Sequence, residues 1–285
     1  MKSILVPIDF TAVSFNAFVL ATHLAERLNF KIRLLHVFSG TFDISMNKPF
    51  DIKADKGRAD IILDKMRSFA TYYPTEGVSD VRPVGVEYNV LHGNVVKQII
   101  NISEEQDITM IVMGTRDKHD MLDKWLGTVS SGVSQNAHCP ILLVPYPTPY
   151  SEYRNIVFAC DYHSADFRIL DRMQSFNKPF NAHLNFIHVE TKGNKAESFD
   201  QIKQEIVDYM VAYGDPAFSI DIDLIREDDV VDGIFEYTRK VSADLLVLVS
   251  QHRSFLERLL HKSVTKAVVL DSNIPVLVMH VDGQS

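Results

Sequence analysis

Residues 3–10 read SILVPIDF, and residues 155–162 read NIVFACDY. Both are apolar runs followed by an aspartate, Asp9 in the first and Asp161 in the second, 152 positions apart. The next apolar run repeats at the same distance: KIRLLHVF at 31–38 carries His36 and Val37, and HLNFIHVE at 183–190 carries His188 and Val189. Two landmarks held at one offset without a gap describe a duplication. Further along, VVKQII at 95–100 answers VVDGIF at 230–235, and Pro140 in CPILLVP answers Pro275 in IPVLVMH, now 135 apart. The second copy is therefore 17 residues shorter (152 − 135) between these landmarks. The polar stretch TFDISMNKPFDIKADKG, starting at Thr41, reads as the extra piece, an irregular insert in a surface loop.

Within each copy, short apolar runs alternate with longer segments of helical period. Ala17, Leu20, Ala21, Leu24 and Leu28 recur at spacings of three and four, which makes one apolar stripe. The runs MIVMG (110–114) and LLVLV (245–249) are apolar throughout, as expected of parallel strands covered by helices on both faces. The pattern predicts an α/β protein of two tandem, doubly wound, five-stranded parallel-sheet domains of Rossmann-like type, over residues 1–147 and 153–285. Such sheets bind ligands beyond the carboxyl ends of their strands, where strand order reverses. Asp9, Val37 and Gly114 all fall at such ends.

The bulk numbers narrow the function. A chain of 285 residues, 46% hydrophobic and 23% charged, suits two globular domains and neither disorder nor a membrane span. No leader-like apolar segment follows the start, so a cytoplasmic location is expected. A net charge of −8 opposes a broad nucleic-acid surface and leaves room for a single nucleotide. Cys139 and Cys160 lie in or beside apolar runs and read as buried, reduced thiols. No His, Cys or carboxylate cluster has metal-ligand spacing, and no Ser-His-Asp or Cys-His set can be assembled, so neither a metal nor a catalytic residue is expected.

ILVPID (4–9), LLHVF (34–38), HGN (92–94) and MGTRD…LGTVS…CPILLVP (113–145) resemble the universal stress protein family in its tandem form. The resemblance covers essentially the whole chain and is better in the first copy. Its specific part is a phosphate motif, G-x-x-G, nine residues, then G-[ST]. Gly114, Asp117, residues 118–126, Gly127 and Thr128 reproduce the spacing with one glycine replaced by aspartate. The resemblance implies an adenine nucleotide alpha hydrolase-like fold in which Pro7, Asp9 and Val37 meet the ribose and adenine. Met113, Gly114, Gly127, Thr128 and Val129 would then hold the phosphates of ATP or AMP, with Mg²⁺ only alongside ATP. The chemistry is sound: a carboxylate accepts hydrogen bonds from a ribose or base, and a helix start at Thr128 offers unpaired N–H groups to an anion. The family resemblance further implies that the last strands of the two copies meet within one chain around a pseudo-twofold axis. A homodimer of the whole chain is also compatible with it.

Two readings of several residues stay open at this level. Asp9 either meets a ligand or caps the first helix. Gly127-Thr128 is either a phosphate loop or an ordinary helix entry. His36 and His188 read as structural, Gly93 as a helix-entry glycine, and Trp125 as a packing or interface residue. Asp117 is the decisive departure. At a positive φ it costs about 1–2 kcal/mol, and its charge about 4 Å from a phosphate adds about 1 kcal/mol in water and about 4 at intermediate dielectric. A loss of about 2–6 kcal/mol lowers ATP affinity by roughly tens to thousands, and AMP suffers less. In the second copy Val249, His252, Lys262 and Ser263 stand where the first has Gly114, Asp117, Gly127 and Thr128, so Asp161 and Val189 belong to a degenerate site. The expected function is non-enzymatic regulation of a protein partner by an adenine nucleotide in domain 1. The alternative is a nucleotide-independent stress or scaffold protein, and a slow ATPase is the weakest reading.

Overall fold

The computed structural model describes residues 1–38, 52–71, 85–115, 128–159, 167–192, 199–212, 219–250 and 274–280. The first copy runs β1 (Ser3–Pro7), α1 (Ala12–Leu28), β2 (Lys31–Phe38), α2 (Ile52–Thr71), β3 (Val86–His92), α3 (Val95–Ser103), β4 (Ile108–Gly114), α4 (Thr128–Asn136) and β5 (Ile141–Val144). The second runs β6 (Asn155–Ala159), α5 (Phe167–Asn177), β7 (His183–Glu190), α6 (Phe199–Ala212), β8 (Ile220–Arg226), α7 (Val230–Lys240), β9 (Leu245–Ser250) and β10 (Val276–His280). All ten strands form one sheet in the order β3-β2-β1-β4-β5-β10-β9-β6-β7-β8.

Each half is doubly wound, with strand order reversing between β1 and β4 and between β6 and β9. Every pairing within a half is parallel. The join is antiparallel: Val276, Leu277 and Val278 face Leu143, Leu142 and Ile141. The last strands thus meet inside one chain, as the family resemblance implies, and neither is left as an open apolar edge.

The strands are apolar on both faces because both are covered. Ile4 and Val6 point into the core beneath α1 and α2, while Leu5 points into the core with Ile99 and Val133 of α3 and α4. In α1 the stripe holds, with Ala17, Leu20, Ala21 and Leu24 buried and Leu28 partly buried against the same core. Cys139 is buried, and burial pushes its thiol up to about 12, so it stays protonated and inert.

The duplication is visible in the register. Ile4 faces Met110 and Ile156 faces Leu245, which reproduces the offsets of 152 and 135 (156 − 4 and 245 − 110). Between β3 and β8 the offset is 134, since Ile32 faces Val86 and Leu184 faces Ile220 (220 − 86). The missing residue lies at the entry to the third helix. Gly93, at φ +134°, spans the step from His92 to the cap Asn94 alone, whereas Glu227 and Asp228 span it before the cap Asp229. Only glycine adopts that φ without strain, and the helix-entry reading of Gly93 holds.

The extra length of the first copy is not one loop. Residues 52–57 of the expected insert are the first turns of α2. The difference of 18 (152 − 134) divides into five residues before the second helix, six within it (20 against 14) and seven after it. A polar stretch can be helical when its exposed face is long, and Gly57 concealed this one.

The seam carries a stability prediction. Leu142 is fully buried on β5 beside Leu277. Leu142→Ala should lower the unfolding free energy by about 2–5 kcal/mol through lost burial and the cavity left behind, measured by urea denaturation of the full chain.

Candidate functional site

At the carboxyl ends of β1, β2 and β4 lies a cleft of about 210 Å³. Pro7, Asp9, Val37, Met113, Gly114 and Val129, all expected from the sequence, line it together. Thr128 is the first residue of α4, whose opening turn supplies Val129 and Ser130 to the same wall. Gly127 and Asp117 lie outside the described residues, as do Trp125, Cys160, Asp161, His252, Lys262 and Ser263.

β1 is extended beyond Pro7 by the Ile8 amide, which donates to the Leu35 carbonyl at 2.8 Å. His36 closes the same turn. Its Nδ1 lies 2.8 Å from the Ile8 carbonyl, and because a carbonyl only accepts, Nδ1 carries the proton. Phe10 follows at φ 65°, a left-handed conformation that is strained for a bulky residue. Its ring lies on His36 at 4.6 Å, meets Phe69 edge-on at 5.8 Å and is covered by Lys65 Nζ at 4.1 Å. These contacts hold the strained residue in place, and with it the aspartate before it.

Asp9 is not the helix cap. Thr11 caps α1, accepting from the Ser14 amide at 3.2 Å. Asp9 Oδ1 instead accepts from the Thr11 amide at 3.0 Å and the Thr11 hydroxyl at 2.6 Å, fixing the cap from outside. The Asp9 amide donates to Ser14 Oγ at 3.4 Å. Burial alone would raise the Asp9 pKa. The hydrogen bonds from Thr11, Ser14 and its own amide outweigh it and hold the carboxyl below its ordinary 3.8. A depressed pKa stabilises the fold above 3.8, and that contribution disappears as the pH falls through the lowered value. Asp9 Oδ2 accepts no hydrogen bond among the described residues.

Gly114 has a steric reason to be glycine that involves no ligand. A Cβ there would stand 2.6 Å from Val13 Cγ1 and 2.7 Å from the Val13 carbonyl oxygen. The first turn of α1 therefore rests directly on the end of β4, and that contact closes the back of the cleft. Ser130 Oγ donates to the Gly114 carbonyl at 3.4 Å, tying the start of α4 to the same point. The sequence reading missed Thr11, Val13, Ser14 and Ser130. A threonine just before the apolar period of α1 was the available signal for Thr11.

The second copy arranges the same positions differently. Val249, at the Gly114 position, is the last residue but one of β9, so the sequence has no glycine there. Val189 answers Val37, yet it is 5% exposed while Val37 is half-buried in the cleft. The cause is in the facing helix. A Cβ on Gly233 of α7 would stand 2.8 Å from Val189 Cγ1, so α7 lies directly on that valine. The α3 residue at this position is Gln98, whose side chain turns away to donate to the His92 carbonyl at 3.0 Å.

Among the described residues no group of three or more His, Cys, Asp or Glu could hold a metal, and no helix is long and apolar enough to cross a membrane.

The universal stress protein family model matches residues 1–145 and again 152–280, and the chain belongs to that family. A universal stress protein of Methanocaldococcus jannaschii is 28% identical over 152 residues, which cover 51% of this chain and 83% of that one. A second, from Bacillus subtilis, is 25% identical over 145 residues, 50% of this chain and 98% of its own. The crystal structure of a universal stress protein from Archaeoglobus fulgidus covers 98% of both chains with a TM-score of 0.71 at 19% identity, a likeness of fold. A universal stress protein crystallised in complex with cAMP is 26% identical, covers 46% of this chain and 98% of its own, and has a TM-score of 0.37.

The glycine contact is testable without any ligand. Gly114→Ala forces its methyl group into the Val13 backbone and should destabilise the chain by about 1–3 kcal/mol, seen as a lower midpoint in urea.

Proposed function

We propose that this chain is a non-enzymatic regulatory protein that binds an adenine nucleotide in the cleft of its first domain. The observation that carries the reading is the convergence of Asp9, Val37, Gly114 and the start of α4 on one cleft at the strand-order reversal. An open carboxylate oxygen suits a ribose hydroxyl, the half-buried Val37 suits the face of a base, and the first turn of α4 suits a phosphate. Family membership brings the nucleotide into consideration, since one member is crystallised with cAMP. AMP is the better ligand and ATP the weaker, because Asp117 stands in the phosphate motif. Mg²⁺ enters only with ATP. The second domain holds no nucleotide: its sequence lacks the motif glycines, with Val249 and Lys262 at their positions, and α7 covers Val189.

Among the described residues no group is placed to activate water, and the output we propose is a change in contacts with a protein partner rather than turnover. A cytoplasmic location and the assembly of whole chains into homodimers belong to the same reading.

The test is direct. Freshly purified full chain is denatured and the supernatant assayed for nucleotide, and nucleotide-free protein is titrated by calorimetry with AMP, ADP and ATP. We expect one AMP per chain, weaker heat from ATP, and a tightening for ATP of roughly tens to thousands in Asp117→Gly. An empty protein that responds to none of the three at millimolar concentration would reject the reading in favour of a nucleotide-independent scaffold.

A further inference from the structure

The seam between β5 and β10 has two flanks on the face covered by α1 and α5, exchanged by the pseudo-twofold axis. One is filled by residues 145–154, which link the halves. Asn16 Nδ2 donates to the Pro145 carbonyl at 3.5 Å. The Tyr150 ring stacks on His23 at 3.8 Å and 8°, and Glu152 pairs with Arg27. Tyr153 is buried against Phe180 at 5.1 Å and Phe176 at 6.2 Å. Leu142 and Val144 belong to the same core as these tyrosines.

At the repeat offsets, His23, Arg27, Leu142 and Val144 correspond to Ser175, Pro179, Leu277 and Met279. Those four line a groove of about 760 Å³, closed on the other side by Phe30 and Met110. This is the size of cavity that takes a substantial ligand. The filled flank shows what chemistry packs here: a segment outside helix and strand carrying two aromatic rings and a carboxylate, YSEY at 150–153. The open flank keeps the apolar floor and is lined by Lys2, Arg172 and Lys178 against one carboxylate, Asp171, which accepts from the Tyr209 hydroxyl. Lys2 and Lys178 stand on its rim, and neither forms an ion pair among the described residues. Lys178 occupies the position that is Glu26 in α1, so the charge at this point is reversed relative to the filled flank.

We propose that this groove docks an extended segment of a partner protein that carries an aromatic side chain and a carboxylate within a few residues of each other. The aromatic ring lies on Leu277 and Met279, and the carboxylate meets Lys178 or Lys2. Side-chain pockets beside an extended backbone are a common way for such segments to be read. The inference stands on the linker contacts and is independent of the nucleotide reading.

The probe is a fluorescein-labelled peptide of residues 146–154, added to the full chain and followed by polarisation. Saturable binding is expected, weakened by about tenfold or more in Lys178→Glu, in Ser175→Trp, which fills the groove, and with a peptide carrying Tyr150→Ala and Tyr153→Ala. Lys178 and Ser175 are both exposed, so the thermal melts of their variants should match wild type. Binding that is equal in both variants, or absent at millimolar peptide, overturns the proposal. Binding that appears only after removal of residues 281–285 assigns the groove to the chain's own terminal segment and overturns it as well.

Discussion

The antiparallel pairing of β5 with β10 is the constraint from which the rest of the architecture follows. Each half alone would end in an unpaired apolar strand, and pairing the two removes both edges at once. Because the join is antiparallel while every other pairing is parallel, the carboxyl ends of the two sets of strands face opposite edges of the sheet. The two strand-order reversals are therefore far apart, and each half has to make its own cleft or none. The same symmetry sets α1 and α5 on either side of the seam. It creates two equivalent flanks there, and among the described residues a single linker has filled one.

Duplication with this geometry lets the halves diverge by small steric changes. At the end of the fourth strand, Gly114 admits the backbone of Val13, while the sequence has Val249 at the same register. On the third helix of each copy, Gln98 leaves Val37 facing the cleft and Gly233 brings α7 down on Val189. At the entry to that helix, one glycine at positive φ does the work of two ordinary residues. None of these changes alters the strand order. In the first half a cleft lies at this point, and in the second α7 covers Val189.

The fold was legible because it rests on periodicity and repetition, which are properties of the linear chain. Apolar runs at a fixed offset, separated by helical stripes, leave few alternatives. The candidate cleft was legible at Pro7, Asp9, Val37, Met113, Gly114 and Val129 through the family motif and their places at strand ends. What escaped depends on how elements dock. Val13 lines the cleft only because α1 rests on Gly114, and Ser14 only because Thr11, not Asp9, caps that helix. Competition between two neighbouring side-chain oxygens for one helix start is a matter of local angles that spacing does not encode. The helical start of α2 within a polar stretch, and the unfilled flank of the seam, are likewise tertiary facts.

The two halves share a fold, and the proposal is that only the first binds a nucleotide. Hydrogen-exchange mass spectrometry of the full chain with and without AMP tests it most directly, because it reports on both halves in one experiment. The account predicts slower exchange on AMP addition in peptides covering residues 8–15, 35–38 and 128–133, and unchanged exchange in those covering 187–192 and 245–250. Protection of the second set, or of neither set at saturating AMP, would contradict it.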